Sequence, residues 1–371
     1  MLRSGDRWNL AAESPGVIDK HSTGGVGDKT SLILSPILAA CGVPVAMLTG
    51  RALGHTGGTA DKLESIPGLS LALDRDQTLS LLSEVGMAIG MATAAIAPAD
   101  RRLYGLRDHT ATVSSLPLIT GSILSKKLAT GAAAIVFDVK TGDGAFMREM
   151  ADSIRLAELL VDTCEALGQR SSALITDMSQ PLGRWVGHAA EVRETLDCLE
   201  GRGADDLMEA VFALSEEAAR LSGQARSREQ LEAVVANGSA RETFDRWAAA
   251  QGVDRAWLQD PQLPLAPVET ALVAPRGGVL GRVANRRLGL LLAGAGAGRA
   301  RPAAALDFGV SLRYDCRLGD RVEAGQELGR LYLRRDDEAI RDRFLACFEI
   351  GDEPVAAPRL VRRRIVPSSA G

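Results

Sequence analysis

Apolar positions along this chain change their period several times, and each change predicts an element. Two short apolar runs of strand type, residues 16–19 and 43–49, each enter a glycine-rich loop and are followed by a helix-compatible segment. Such a repeat predicts two βα units, hence a parallel sheet with both loops beyond the carboxyl ends of its strands. Residues 77–97 carry an apolar stripe that stops before Pro98 and predict a helix. Over residues 116–128, Ile119, Ser122, Ile123 and Lys126 fall at i, i+3, i+4 and i+7, on one helical stripe. Residues 135–139 and 173–176 read as buried strands. They flank a glycine turn (140–145) and a helix (153–167) with Ile154, Ala157, Leu160, Val161 and Cys164 on one face. Residues 189–257 read as helical and 260–267 as a linker. Beyond it, residues 273–283 read as strands around a glycine turn, and 316–333 as a small β module of the carrier type. The glycines between 289 and 298 read as a loop.

Composition narrows the class. The 371 residues are 46% hydrophobic and 24% charged, enough for a large core and two domains. A formal net charge of -4 leaves no electrostatic footprint for nucleic acid, and Arg359 with Arg362, Arg363 and Arg364 reads as a solvated tail. Cys41, Cys164, Cys198, Cys316 and Cys347 show no CxxC or Cys/His spacing, so no metal is expected and the thiols read as free. No signal peptide and no apolar run of membrane length is visible, and a cytoplasmic protein is expected. The β module has no lysine placed for biotin or lipoate at its turn.

Chemistry concentrates in the two loops, KHSTGGVGD (20–28) and GRALGHTGGT (50–59). Glycines there let successive N–H groups point at one anion, and helices starting near Asp28 and Thr59 add donors. Lys20 supplies a point charge, and Ser22, Ser31, Thr49 and Thr59 supply hydroxyls. This combination asks for phosphate. Asp28 separates Gly27 from Lys29, so GxxxxGK[ST] is not matched, and GxGxxG is absent from both loops. The stripe at 116–128 would suit a flat heterocycle with carbonyl and imide edges. Spacing alone favours an amphipathic helix with a snorkelling lysine.

The motifs DKHSTGGVGD, GRALGHTGGTADKLESIPG, LYGLRDHTATV, KTGDGAFM and TDMSQPLG, in this order, resemble the thymidine and pyrimidine nucleoside phosphorylase family. The resemblance runs from about Arg3 to the C-terminus. It implies an α/β fold: a large mixed or parallel sheet domain with flanking helices, part of a small helical domain, and a C-terminal α+β module. The boundaries expected are 1–15 for the end of an N-terminal helical segment, 16–97 and 132–262 for the α/β domain, 98–131 for the base-binding helical part, and 268–371 for the module. Residues 1–8 resemble the tail of a longer helical segment, so an upstream start is expected. The reaction implied is reversible phosphorolysis of thymidine or deoxyuridine to free base and sugar 1-phosphate. It requires no cofactor beyond inorganic phosphate as co-substrate, and a homodimer is implied.

By the same resemblance, Lys20, Ser22, Ser31, Thr49 and Thr59 hold phosphate, and Arg107, Ser122 and Lys126 hold the pyrimidine, with Leu53, Tyr104, Ile119 and Ile123 lining its pocket. His21, Arg107 and Lys126 are the catalytic candidates, with His21 donating to a base carbonyl. Two departures stand out: Thr49 replaces a common Ser, and Ala52 replaces a common Gly. Met47 matches the type associated with deoxynucleoside preference. Two other readings stay open. One is a weakly active or inactive homologue that binds phosphate or nucleoside. The other is an anthranilate-type phosphoribosyltransferase, which would need a diphosphate and Mg²⁺; the acidic motif for that ion is not evident.

Overall fold

Runs apolar on both faces become the middle of a sheet covered on both sides. The computed structural model describes residues 1–51, 55–107, 112, 115–299 and 305–368, without the side chains of residues 104, 105 and 107. The main sheet contains β1 (Ile18–Ser22), β2 (Val45–Thr49), β3 (Met87–Met91), β4 (Ala134–Thr141), β5 (Arg170–Asp177) and, from the far end of the chain, β13 (Val361–Ile365). Their order is β13-β5-β4-β1-β2-β3, all parallel except the antiparallel edge strand β13. Every residue of β4 is buried.

Helices α1 (Thr30–Ala40), α2 (Thr59–Leu63), α3 (Arg75–Glu84), α4 (Pro98–Arg107), α5 (Leu116–Thr130) and α6 (Met150–Ala166) follow the strands. After the short β6 (Trp185–Val186) come α7 (His188–Leu199), α8 (Asp205–Ser222), α9 (Arg228–Ala236), α10 (Ser239–Ala250) and α11 (Arg255–Gln259). Residues of α1, α7, α8 and α10 pack with β1 and β2 into one core, and α5 and α6 pack with β4 and β5 into another. The C-terminal part builds a third core from β7 (Val268–Val273), β8 (Gly278–Val283), α12 (Asn285–Leu292), β9 (Ser311–Tyr314), β10 (Arg321–Val322), β11 (Glu327–Leu333), α13 (Glu338–Leu345) and β12 (Phe348–Gly351). Its two small sheets run β6-β9-β11-β7 and β10-β8-β12. Among the described residues no helix is long and apolar enough to cross a membrane.

Several elements correct the pattern-based reading. Residues 77–97 are not one helix: α3 ends at Glu84, Gly86 adopts φ +87°, and Met87–Met91 joins the sheet as β3 beside β2. The run MAIGM satisfies helical spacing because it is apolar on all sides, and its sheet neighbour decides its state. The basic cluster is not a solvated tail, since Arg363 and Arg364 lie in β13 and pair in register with Ile175 and Leu174. Strands β7 and β8 belong to different sheets rather than forming one hairpin. The glycine stretch is largely helical, from α12 into a wide turn over Ala293–Ala297. Residues 1–15 hold two single 3-10 turns, with Trp8 and Leu10 buried and the Trp8 N–H on the Ala129 carbonyl.

Candidate active site

The carboxyl ends of β1 and β2 are neighbours, so the two glycine loops emerge side by side. Lys20, near the end of β1, is 2% exposed; its Nζ donates to Thr30 Oγ1 at 2.7 Å and Ser31 Oγ at 3.1 Å, both in the first turn of α1, and pairs with Asp138 of β4 at 3.3 Å. Burial lowers the Lys20 pKa, against the pull of Asp138 and Asp28. Ser22 donates to Asp28 Oδ2 at 2.5 Å and accepts the Gly24 N–H at 3.1 Å, which shapes the first loop. Thr49 ends β2 and Thr59 opens α2, both half-buried. Leu53, with Ala52, lies outside the described residues. Met47, in the middle of β2, is 4% exposed inside the core.

On the other side stands α5. Ser122 and Ile123 are buried on it, and Ile119 is half-buried. Lys126 Nζ donates to Ser122 Oγ at 3.1 Å and to Asp100 Oδ2 of α4 at 2.6 Å, and Ser122 Oγ donates to the same carboxylate oxygen at 3.0 Å. Thus Ser122 and Lys126 share one anchor. Tyr104 and Arg107 belong to α4, and their side chains lie outside the described set. His21, in β1 beside Lys20, is half-buried. Its pKa is held well below the usual imidazole value by burial first and then by Lys127, Lys126 and Lys20, so the ring is neutral near pH 7.

Sequence reasoning missed the scaffold beneath these residues. Asp28 receives Ser22 and Thr30, and lies 4.0 Å from the buried Lys140; burial would raise its pKa, but Lys140, Lys20, Ser22 and Lys62 outweigh burial and hold it well below the usual range. Lys140 pairs with Asp138 at 2.8 Å, so the KTGDG turn has its lysine inside the protein. Lys127 donates to Asp19 Oδ1 at 2.7 Å and to the carbonyls of Lys20 and Leu48, fastening β1 to β2 under the loops. Burial raises Asp19 to about 6 even so. Lys62 of α2 donates to the Asp28 carbonyl and the Gly57 carbonyl, both at 2.9 Å, and so ties the first loop to the second. The only sequence signal for these groups was the density of Asp and Lys around the glycines.

The C-terminal module docks on the second loop. Arg286 donates to His55 Nδ1 at 3.2 Å, which leaves the proton on Nε2 to donate to the Gly144 carbonyl at 3.0 Å. Gly289 of α12 admits this approach, because a Cβ there would sit 2.2 Å from the His55 carbonyl oxygen. Next to His21 in β1, the buried Lys20 cation is held among the hydroxyls of Thr30 and Ser31 and the carboxylate of Asp138. On α5 an ammonium and a hydroxyl, Lys126 and Ser122, share the Asp100 carboxylate.

Known proteins are similar to this chain in sequence. A family profile described as "Glycosyl transferase family, a/b domain" matches residues 14–241, and one described as "Pyrimidine nucleoside phosphorylase C-terminal domain" matches residues 279–351. The pyrimidine-nucleoside phosphorylase of Geobacillus stearothermophilus is 42% identical over 98% of this chain and 86% of its own length. That of Bacillus subtilis is 43% identical over 92% of this chain and 80% of its own length. Among solved structures, anthranilate phosphoribosyltransferase from Thermus thermophilus aligns with a TM-score of 0.48 at 21% identity, covering 64% of this chain and 78% of that one.

Proposed function

The chain belongs to the pyrimidine-nucleoside phosphorylase family, and from that premise we propose that it carries out reversible phosphorolysis of thymidine or deoxyuridine. Inorganic phosphate, the only co-substrate proposed and with no cofactor, would lie against Lys20, Ser22, Ser31, Thr49 and Thr59. It attacks C1′ in line, with inversion, while the pyrimidine departs as an anion. Charge then grows on the base oxygens, where Lys126 and Arg107 would donate; Ser122, whose one proton goes to Asp100, would meet the base through its oxygen. Leu53, Tyr104, Ile119 and Ile123 would hold the flat faces of the ring. His21 is proposed to carry or share a proton with a base carbonyl, because a neutral imidazole keeps one N–H to give.

One observation carries this reading: Lys127 of α5 bonds Asp19 and the carbonyls of Lys20 and Leu48, so the helix bearing Ser122 and Lys126 is fastened to the strands that lead into both glycine loops. Release of thymine from thymidine, measured with and without phosphate and beside uridine, tests it. Phosphate-dependent release of thymine, faster than that of uracil from uridine, is the expected result. Release that ignores phosphate removes the reading. Nucleoside binding without turnover leaves the binding homologue as the better account. The transferase alternative is less favoured, since relatives at about 40% identity carry the phosphorylase name. A homodimer, implied by the family, is checked by light scattering, and a monomer removes it.

A further inference from the structure

The second glycine loop is held from outside by the C-terminal module. Helix α2, which begins at Thr59, is a single short helix bearing two buried charges of opposite sign, Asp61 and Lys62. Lys62 fixes both loops through the Asp28 and Gly57 carbonyls and is itself paired with Glu191 at 3.2 Å. Asp61 uses one oxygen, Oδ2, to accept the Gly58 N–H at 3.1 Å, which sets the last residue of the loop. Its other oxygen, Oδ1, accepts from Arg299 Nε and Nη2 at 3.2 and 3.1 Å, and Arg299 Nη2 also donates to Glu64 Oε2 at 2.7 Å. Glu64 in turn accepts two bonds from Arg51, on the rising side of the same loop.

Arg299 comes from the segment that follows α12. That segment has its own anchor: His188 Nε2 donates to the Ala297 carbonyl at 2.7 Å. Asp61 and Arg299 have side chains only 4% and 13% exposed, so the pair is shielded from solvent screening. A continuous chain of contacts therefore runs from the module through Arg299 to Asp61, then to Gly58 and, by the neighbouring Lys62, to Gly57 and Asp28.

We propose that Arg299 is a positioning residue for the anion site: it couples docking of the C-terminal module to the relative placement of the two phosphate loops through α2. The proposal rests on the reading of those loops as a phosphate site. Its consequence is selective. Loss of the guanidinium loosens the loops that face phosphate, while the base-facing set of Ser122, Lys126 and Asp100 is bonded within α4 and α5 and keeps its geometry.

The experiment compares wild type, Arg299→Ala, Arg299→Lys and Lys20→Ala by steady-state kinetics with phosphate and thymidine varied in turn. Melting temperatures with and without added phosphate are measured alongside. Expected for Arg299→Ala is a rise in the phosphate KM of about fivefold or more, with the thymidine KM within about twofold, and a smaller phosphate-induced rise in melting temperature. Arg299→Lys keeps one charge but not the fork, and recovers part of the loss. An unchanged phosphate KM in Arg299→Ala overturns the proposal. So does an equal loss for both substrates that follows the fall in melting temperature, because that is a merely structural effect. If Lys20→Ala also leaves phosphate binding unmoved, the loops are not the phosphate site and both readings fall. If Lys20→Ala responds and Arg299→Ala does not, only the coupling falls.

Discussion

The ammonium of Lys126 lies 2.6 Å from Oδ2 of Asp100, a buried carboxylate on the preceding helix, and Ser122 donates to that same oxygen. Two groups proposed to face the pyrimidine are thus aimed by a third that a bound base need not touch. Replacing Asp100 by Ala removes both the charge and the acceptor oxygen and leaves both side chains without a fixed direction. Hydrogen bonds to charged groups are worth about 1.5–3 kcal/mol, so the thymidine KM is expected to rise about tenfold or more, with the phosphate KM unmoved. Lys126→Ala is expected to cost roughly 10² to 10³ in kcat/KM. A loss below about threefold in Lys126→Ala removes its assignment as a charge-stabilising donor.

A second prediction concerns pH. Burial and the three lysines hold the His21 pKa well below the usual value, so the folded protein releases this proton at a lower pH than the unfolded chain does. The imidazole is then neutral from about pH 8 down past its ordinary titration range near 6.5. His21→Asn keeps an N–H donor without a titrating ring. The ratio of wild-type to variant kcat/KM is expected to stay constant between about pH 6 and 8. A ratio that changes about tenfold with a midpoint near 6.5 would falsify the neutral-ring assignment.

The loops and the α5 stripe were legible because local order carries them: glycine, lysine and hydroxyl close together in sequence, and side chains at helical spacing. Strand β3 was not, since a short run of Met, Ala, Ile and Gly fits either period and only pairing with β2 decides. Burial of lysines was not legible either. Lys29 finds its carboxylate at Glu194, and Lys127 finds Asp19, across separations of 165 and 108 residues. No local pattern marks a lysine whose partner arrives from another element. The basic segment near the C-terminus misled for the same reason, as Arg362 meets Asp177 and Arg364 meets Glu217 on distant elements.

Lys29 gives a stability prediction. Its Nζ, 1% exposed as a residue, donates to Glu194 Oε2 at 2.6 Å and to the carbonyls of Leu182 and Trp185 at 3.0 Å. Burial lowers its pKa, but Glu194 and Glu191 more than restore it, so the ammonium stays charged. Lys29→Met leaves Glu194 buried without its cation, a change that costs about 3–5 kcal/mol. Adding Glu194→Gln to that variant removes the uncompensated charge and keeps one carbonyl oxygen, an acceptor for one of the Arg184 and Trp185 N–H groups that the two carboxylate oxygens now accept separately. The double variant is therefore expected to be more stable than Lys29→Met alone in urea denaturation. A double variant that loses the sum of both single losses means the pair is not coupled.

Glu217 ties the edge strand β13 to the rest of the protein, accepting from Arg364 at 3.0 and 3.1 Å and from Arg220 at 2.7 Å. Burial would raise its pKa, yet Arg220, Arg364 and Ser172 lower it from 4.5 to about 2. The sign follows from linkage. A carboxylate with a depressed folded pKa contributes stability that is complete above its unfolded value of 4.5 and lost as pH falls toward about 2. Glu217→Gln should accordingly melt below wild type at about pH 7, and the gap should narrow as pH drops through that window. Because β13 pairs along β5 at the sheet edge, the same variant should also speed amide exchange in β13 before it affects β1 or β4. A melting gap that persists undiminished at about pH 2.5 means the loss arises from packing and not from the charge.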